Sequence, residues 1–189
     1  MARLLGNGDL GRLVDIGTGT GRMIELFGSQ ARHSIGIDRS PEMLRLARAK
    51  LAEQERATAE LRPAELRQGD ITRLALDEAI ADTVILHQVL HFLPAPELAV
   101  AEAGRIMRAG ARLLVVDFAP HDREELRTSD AHTRLGFSDD QIAAWFGKAG
   151  LSIVRIEELA GGELTVKLWL GEKIPQPVLK QPVLKVVNV

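Results

Sequence analysis

The residues best suited to chemistry in this 189-residue chain begin with a glycine loop, Leu13-Val14-Asp15-Ile16-Gly17-Thr18-Gly19-Thr20-Gly21-Arg22. An apolar run entering closely spaced glycines lets the backbone turn tightly against a ligand, while the N–H groups of the following helix start face an anionic group. Two cofactor classes use such a loop. A dinucleotide fingerprint, G-x-G-x-x-G, needs its third glycine at position 22, where Arg22 stands; the spacing here is G-x-G-x-G. Asp15, two residues ahead of Gly17, would also set a carboxylate beside a pyrophosphate, but it suits a ligand that carries an ammonium group. Both features disfavour a nicotinamide-dependent oxidoreductase.

Two further carboxylates extend the pattern. Asp38 closes Ile35-Gly36-Ile37-Asp38, and an acidic side chain at such a strand tip accepts from both hydroxyls of a ribose. Asp70, in Gln68-Gly69-Asp70-Ile71, can accept from an adenine amino group, with Ile71 against the ring. An amino-acid carboxylate and ammonium, a ribose and an adenine together describe S-adenosylmethionine. The candidate cofactor residues are therefore Asp15, Gly17, Thr18, Gly19, Gly21, Asp38, Arg39, Met43, Asp70, Ile71 and His87, with Met43 equally readable as core.

These groups need strands that end beside one another. Short apolar runs alternate with helix-period stretches, the signature of an α/β fold with a mostly parallel sheet. Strands are expected at Arg12–Ile16, Ser34–Asp38, Glu65–Gln68, Thr83–His87, Arg112–Phe118, Ser152–Glu158 and Leu164–Leu170. Helices are expected at Gly19–Phe27, Pro41–Glu55, Pro96–Met107 and Asp139–Lys148. Ser40 before Pro41 is an N-cap ahead of an N1 proline, Ser138 with Gln141 has capping-box spacing, and Gly110 and Gly150 suit left-handed C-caps. The last two strands, joined through Gly161-Gly162, imply an antiparallel hairpin at one edge of the sheet. The domain is expected over residues 1–172, with a Pro-interrupted tail over 173–189 that contains QPVLK twice. That tail reads as an extended arm or as a disordered terminus.

The composition, 46% apolar and 26% charged, is that of one soluble globular domain. Zero cysteines exclude disulfides, thiolate metal sites and cysteine nucleophiles, and a net charge of -2 gives no general attraction to nucleic acid or acidic membranes. Lacking a signal peptide or spanning segment, the chain is expected to be cytoplasmic.

The runs VDIGTGTGR, GIDRSPEML, QGDI, ADTVILHQVLHFL and LLVVDFAP, in this order, resemble the class I S-adenosylmethionine-dependent methyltransferases. The resemblance covers about residues 10 to 171. It implies a Rossmann-like seven-stranded, mostly parallel sheet with an antiparallel edge hairpin and helices on both faces. It also implies that Asp15 and the loop glycines hold the methionine part, Asp38 the ribose, and Asp70 with Ile71 the adenine. The stretch from His87 to Phe137 and the ending ELTVKLWL look like the methyltransferase-like domain of ArsR-type regulator fusions, some of which sense S-adenosylhomocysteine. Two functions are implied: methylation of a small-molecule acceptor, or ligand sensing for a DNA-binding partner, with a homodimer through the VKLWL edge strand.

Methyl transfer from a sulfonium is an in-line displacement that depends on alignment and desolvation, and it needs a base only when the acceptor must lose a proton early. His87, at the end of the fourth strand, is the best-placed polar helper, ahead of His91, Asp117 and His121; its other reading is a pocket-lining histidine bonded to a backbone carbonyl. His87 and His91 are spaced i, i+4, but no Glu follows the first histidine and no third ligand is evident, so no metal is expected. His87-Gln88-Val89-Leu90 replaces the Asn/Asp-Pro-Pro-aromatic run of nucleobase amino methyltransferases, and the absent cysteines exclude the chemistry of arsenite methyltransferases. The charged stretch His121–Arg134 is a solvated helix face or, through His121 or His132, a border of the acceptor pocket.

Overall fold

The computed structural model describes residues 2–6, 8–58, 61–159 and 162–175. Runs of β-branched and leucine side chains, buried on both faces, build the centre of one seven-stranded sheet; Val14, Ile16, Val84, Ile85, Leu86, Leu113, Leu114 and Val115 are all fully buried. The strands are β1 (Gly11–Ile16), β2 (Ala31–Asp38), β3 (Glu65–Gln68), β4 (Ala81–His87), β5 (Met107–Phe118), β6 (Leu151–Leu159) and β7 (Val166–Lys173), in the order β3-β2-β1-β4-β5-β7-β6. The first five pair in parallel; β7 lies antiparallel on β5, and β6 antiparallel on β7.

Six helices connect them among the described residues: α1 (Ala2–Leu5), α2 (Arg22–Phe27), α3 (Pro41–Ala57), α4 (Pro96–Ile106), α5 (Leu126–Ser129) and α6 (Asp139–Lys148). Alternation along each strand sends side chains to two separate cores. Leu4 and Leu5 of α1 and Met23 and Phe27 of α2 pack with Leu13, Ile85, Leu114 and Leu168 on one face. Val100 and Ile106 of α4 and Ile142 and Phe146 of α6 pack with Val14, Val84, Val115 and Trp169 on the other. The Ser40 hydroxyl accepts from Met43 N at 3.2 Å ahead of Pro41, and Ser138 with Gln141 closes a full capping box on α6. No described helix is long and apolar enough to cross a membrane.

Four expectations change. The first helix after β1 starts at Arg22 rather than Gly19, because Gly17, Gly19 and Gly21 all hold positive φ and the chain cannot wind until they are passed. Gly110 caps no helix: α4 runs straight into β5, and Gly110 (φ 76°) turns a bulge in which Met107 pairs with Ala81 and Arg112 already with Thr83. Gly150, at φ 73°, does follow α6 as a left-handed cap. VKLWL is not an edge strand either. It forms β7, whose Leu168 and Trp169 are fully buried between β5 and β6, so the edge belongs to β6 with its exposed Val154 and Leu159. Lys173, expected at the head of the tail, is the last residue of β7. The two QPVLK copies and Gly161 lie outside the described residues.

Candidate functional site

Strand β1 feeds a helix on one face of the sheet and its neighbour β4 feeds a helix on the other, so a crevice opens where the chain directions diverge. A cavity of about 960 Å³ occupies that crevice, over the carboxyl ends of β1, β2, β3 and β4. Ten of the eleven expected cofactor residues line it: Asp15, Gly17, Thr18, Gly19, Asp38, Arg39, Met43, Asp70, Ile71 and His87. Gly21 does not. It is the N-cap of α2 at φ 79°, and a Cβ there would meet Leu51 of α3 at 3.2 Å, so its smallness serves helix packing.

Asp15 is the unusual group. Its carboxyl is 1% exposed; Oδ2 accepts from the Thr18 hydroxyl at 2.6 Å, and Oδ1 is buried without a partner. Burial pushes its pKa up from 3.8 to about 7, opposed by the Thr18 bond and assisted by the charge of Asp38. An ammonium group would supply the missing partner and the missing charge together.

Asp38, half-buried, turns Oδ2 to Gly19 N at 2.8 Å and Oδ1 to Ser40 N at 2.9 Å, so it ties the glycine loop to the start of α3. A carboxylate has about four acceptor sites, which leaves capacity for hydroxyl donors. The glycine loop itself departs from the expected picture of free N–H groups. Gly17 and Thr18 donate to Ile37 O and Gly21 to Thr18 O, which leaves the first turn of α2 as the source of unpaired donors. Gly17 is required sterically: at φ 76° a Cβ would stand 2.5 Å from Val89 Cγ2. Asp70 Oδ1 accepts from Thr72 N and its hydroxyl at 2.8 and 2.7 Å, bonds that hold the carboxyl below its usual pKa. Ile71 is buried beside it, and Met43 stands 39% exposed at the pocket rim rather than in the core.

His87 reaches the pocket from the end of β4. Burial lowers its pKa below the ordinary value, partly offset by the charge of Asp117. The other acceptor-side candidates behave differently. His91 is 2% exposed in the turn Leu90–Phe92, with Nδ1 2.8 Å from Asp117 Oδ1, so it faces the protein interior. No group of described residues converges as a metal site.

Several wall residues were not anticipated. Gln88 lines the pocket with φ 47°, uncommon for a residue with a side chain, and its N–H donates to Val116 O at 2.7 Å. Phe92, Leu93 and Ala131 complete an apolar end next to His87. Phe92 and Leu93 carry a weak signal, since they follow β4 within a loop that the parallel sheet delivers to the pocket mouth. Gln88 and Ala131 (φ 56°) owe their places to backbone conformation and carry none.

A family model described as "Methyltransferase domain" matches residues 14–115, more than half of the chain. Among curated proteins, the chain is 34% identical over 117 residues to a phosphatidylethanolamine N-methyltransferase from Cereibacter sphaeroides, covering 61% of this chain and 55% of that protein. The chain spans about half, or less, of the length of the curated relatives it first matches. Among solved structures, the YcgJ protein of Bacillus subtilis superimposes with a TM-score of 0.74 at 18% identity, covering 89% of this chain and 94% of that one. A SAM-dependent methyltransferase from Methanosarcina mazei gives 0.73 at 16% identity, with 92% and 96% covered. At these identities the structural likeness concerns the fold.

Proposed function

The chain belongs to the class I S-adenosylmethionine-dependent methyltransferases, and on that premise we propose that it transfers a methyl group from S-adenosylmethionine to a small-molecule acceptor. The observation that carries the reading is Asp15, a lining residue of the pocket with a buried, unpartnered carboxyl oxygen that calls for a cation. S-adenosylmethionine, when bound, supplies a methyl group already activated by a sulfonium. Asp15 would hold the ammonium, Asp38 the ribose hydroxyls and Asp70 with Ile71 the adenine, with Gly17, Thr18 and Gly19 framing the methionine part and Arg39 and Met43 bordering the nucleoside. The apolar surface offered by Phe92, Leu93 and Ala131 suits a small, largely apolar molecule, which would cover the exposed Phe92 on binding. His87, kept neutral by its depressed pKa, orients the acceptor and takes a hydrogen bond or a proton from its nucleophile.

An assay of S-adenosylhomocysteine release against a panel of small hydroxyl, amine and thiol acceptors tests the reading. Turnover is expected with at least one class, with an acid limb below the ordinary histidine value of about 6.5. His87→Asn should lower kcat by about 10²-fold while leaving cofactor affinity within about threefold. A flat pH profile and an unaffected variant would remove His87 from the chemistry. The second reading, an S-adenosylhomocysteine- or S-adenosylmethionine-sensing domain for an ArsR-type DNA-binding partner, uses the same pocket. It rests on the resemblance of the stretch from His87 to Phe137 and of ELTVKLWL to the methyltransferase-like domain of such regulators. Tight ligand binding with no turnover on any acceptor would select it.

A further inference from the structure

The segment 119–137, between β5 and α6, brings two histidines onto a third and so forms a cluster that the proposed reaction does not use. His132 packs on His91 with ring centroids 4.4 Å apart and on Phe118 at 5.5 Å with nearly parallel planes, and His121 lies 6.3 Å from His132. His91 and His132 are both buried, and Nδ1 of His132 and Nε2 of His121 are buried without hydrogen-bond partners. The buried counter-charge is Asp117, and its carboxylate is already engaged by His91 Nδ1 and by the N–H groups of Leu90 and Phe118. The other charges facing the cluster are Asp130, Asp122, Glu125 and Arg123, all on the segment itself. Arg127 is turned onto Glu124 and Thr133 O, and Arg134 onto Pro94 O. A proton added to His132 or His121 thus finds no free acceptor inside the cluster.

The same contacts hold the segment down. Thr133 N and Arg134 N donate to His91 O at 2.9 and 3.0 Å, and the Thr133 hydroxyl donates to Phe92 O at 3.1 Å. Ala131, the residue before His132, is the part of the segment that stands in the cavity wall, in a left-handed conformation. We propose that His91, His121 and His132 form a proton-sensitive latch that seats the 119–137 segment over the apolar end of the pocket while neutral and releases it when His132 or His121 is protonated.

Burial lowers the pKa of both His121 and His132. The closed form therefore binds fewer protons than an open form with ordinary imidazoles. Its stability is full above about pH 6.5 and falls as the pH drops through the depressed closed-state values.

Hydrogen exchange on the full chain without ligand tests the latch and does not depend on what the pocket catalyses. With rates corrected for intrinsic exchange, protection at Thr133 and Arg134 is expected to fall about tenfold or more between pH 7.5 and 5.0, while β1 and β4 show no such fall, their protection rising as the Asp15 carboxyl takes up its proton. The double variant His121→Phe/His132→Phe keeps the stacking but cannot titrate, and its protection should change less than about threefold. Equal protection of the wild type at both pH values, or the same loss in the double variant, would overturn the proposal. Should that variant fail to fold, NMR titration of the wild type decides. His132 or His121 titrating below the ordinary value in step with the Thr133 amide supports the latch, and ordinary titration with an unmoved amide contradicts it.

Discussion

Asp15→Asn is expected to make the ligand-free chain more stable at pH 8 by about 2 kcal/mol and to weaken S-adenosylmethionine binding by about two orders of magnitude. The stability gain follows from the carboxyl pKa, raised from 3.8 to about 7 by burial. Between those values the folded state holds a proton that the unfolded state has released, so folding is progressively disfavoured as pH rises, and above about 7 the whole penalty is felt. Three units correspond to an upper limit of about 4 kcal/mol; an amide that also lacks a full set of partners in this place recovers only part of it. The advantage should fade as pH falls through the same window and vanish near pH 4. The binding loss follows because Asp15 is the one fully buried carboxylate among the described residues that line the pocket, and its Oδ1 has no other partner. Thermal melts at pH 5 and 8, with calorimetry on the same samples, measure both. A variant that is less stable at each pH and binds the ligand unchanged would mean that Asp15 is a structural residue.

Asp38→Ala should reduce affinity for the same ligand by about 30-fold or more, because two kinds of interaction disappear together. Two ribose contacts go, and so do the charge-assisted bonds from Gly19 N and Ser40 N that hold the glycine loop against the start of α3. Unfolding stability should fall by only about 1–2 kcal/mol, since those bonds lie at a half-buried surface. Asp38→Asn separates the two effects, because an amide oxygen can still accept from one backbone N–H; it should restore most of the stability and little of the affinity. Affinity unchanged in both variants would show that the ribose is held elsewhere.

Much of this site was legible because the chemistry sits on regular elements. Asp38 and His87 close strands, and Asp15 stands one residue before the end of β1; apolar runs announce these strands, and a parallel sheet aligns their ends without long-range information. The hairpin β6–β7 was equally plain from consecutive runs, but its order was not. VKLWL, apolar at four of its five positions, marks a strand, whereas the burial of both Leu168 and Trp169 depends on β5 accepting it as a neighbour. Gly110 shows a similar limit: a positive φ was predictable, but whether it caps a helix or turns a bulge depends on the register of β5 with β4. The hydrogen bonds that consume the loop N–H groups, and the left-handed Gln88 and Ala131, arise from tertiary contacts that spacing does not record.

The most direct measurement is a calorimetric titration with S-adenosylmethionine and with S-adenosylhomocysteine at pH 7, repeated in buffers of different ionisation heat. With Asp15 near the middle of its titration, an incoming ammonium should displace about half a proton. The account predicts binding on the order of micromolar with buffer-dependent heat, and loss of the buffer dependence in Asp15→Asn. Absence of binding to both ligands would contradict the central claim, and binding whose heat is the same in every buffer would contradict the part assigned to Asp15.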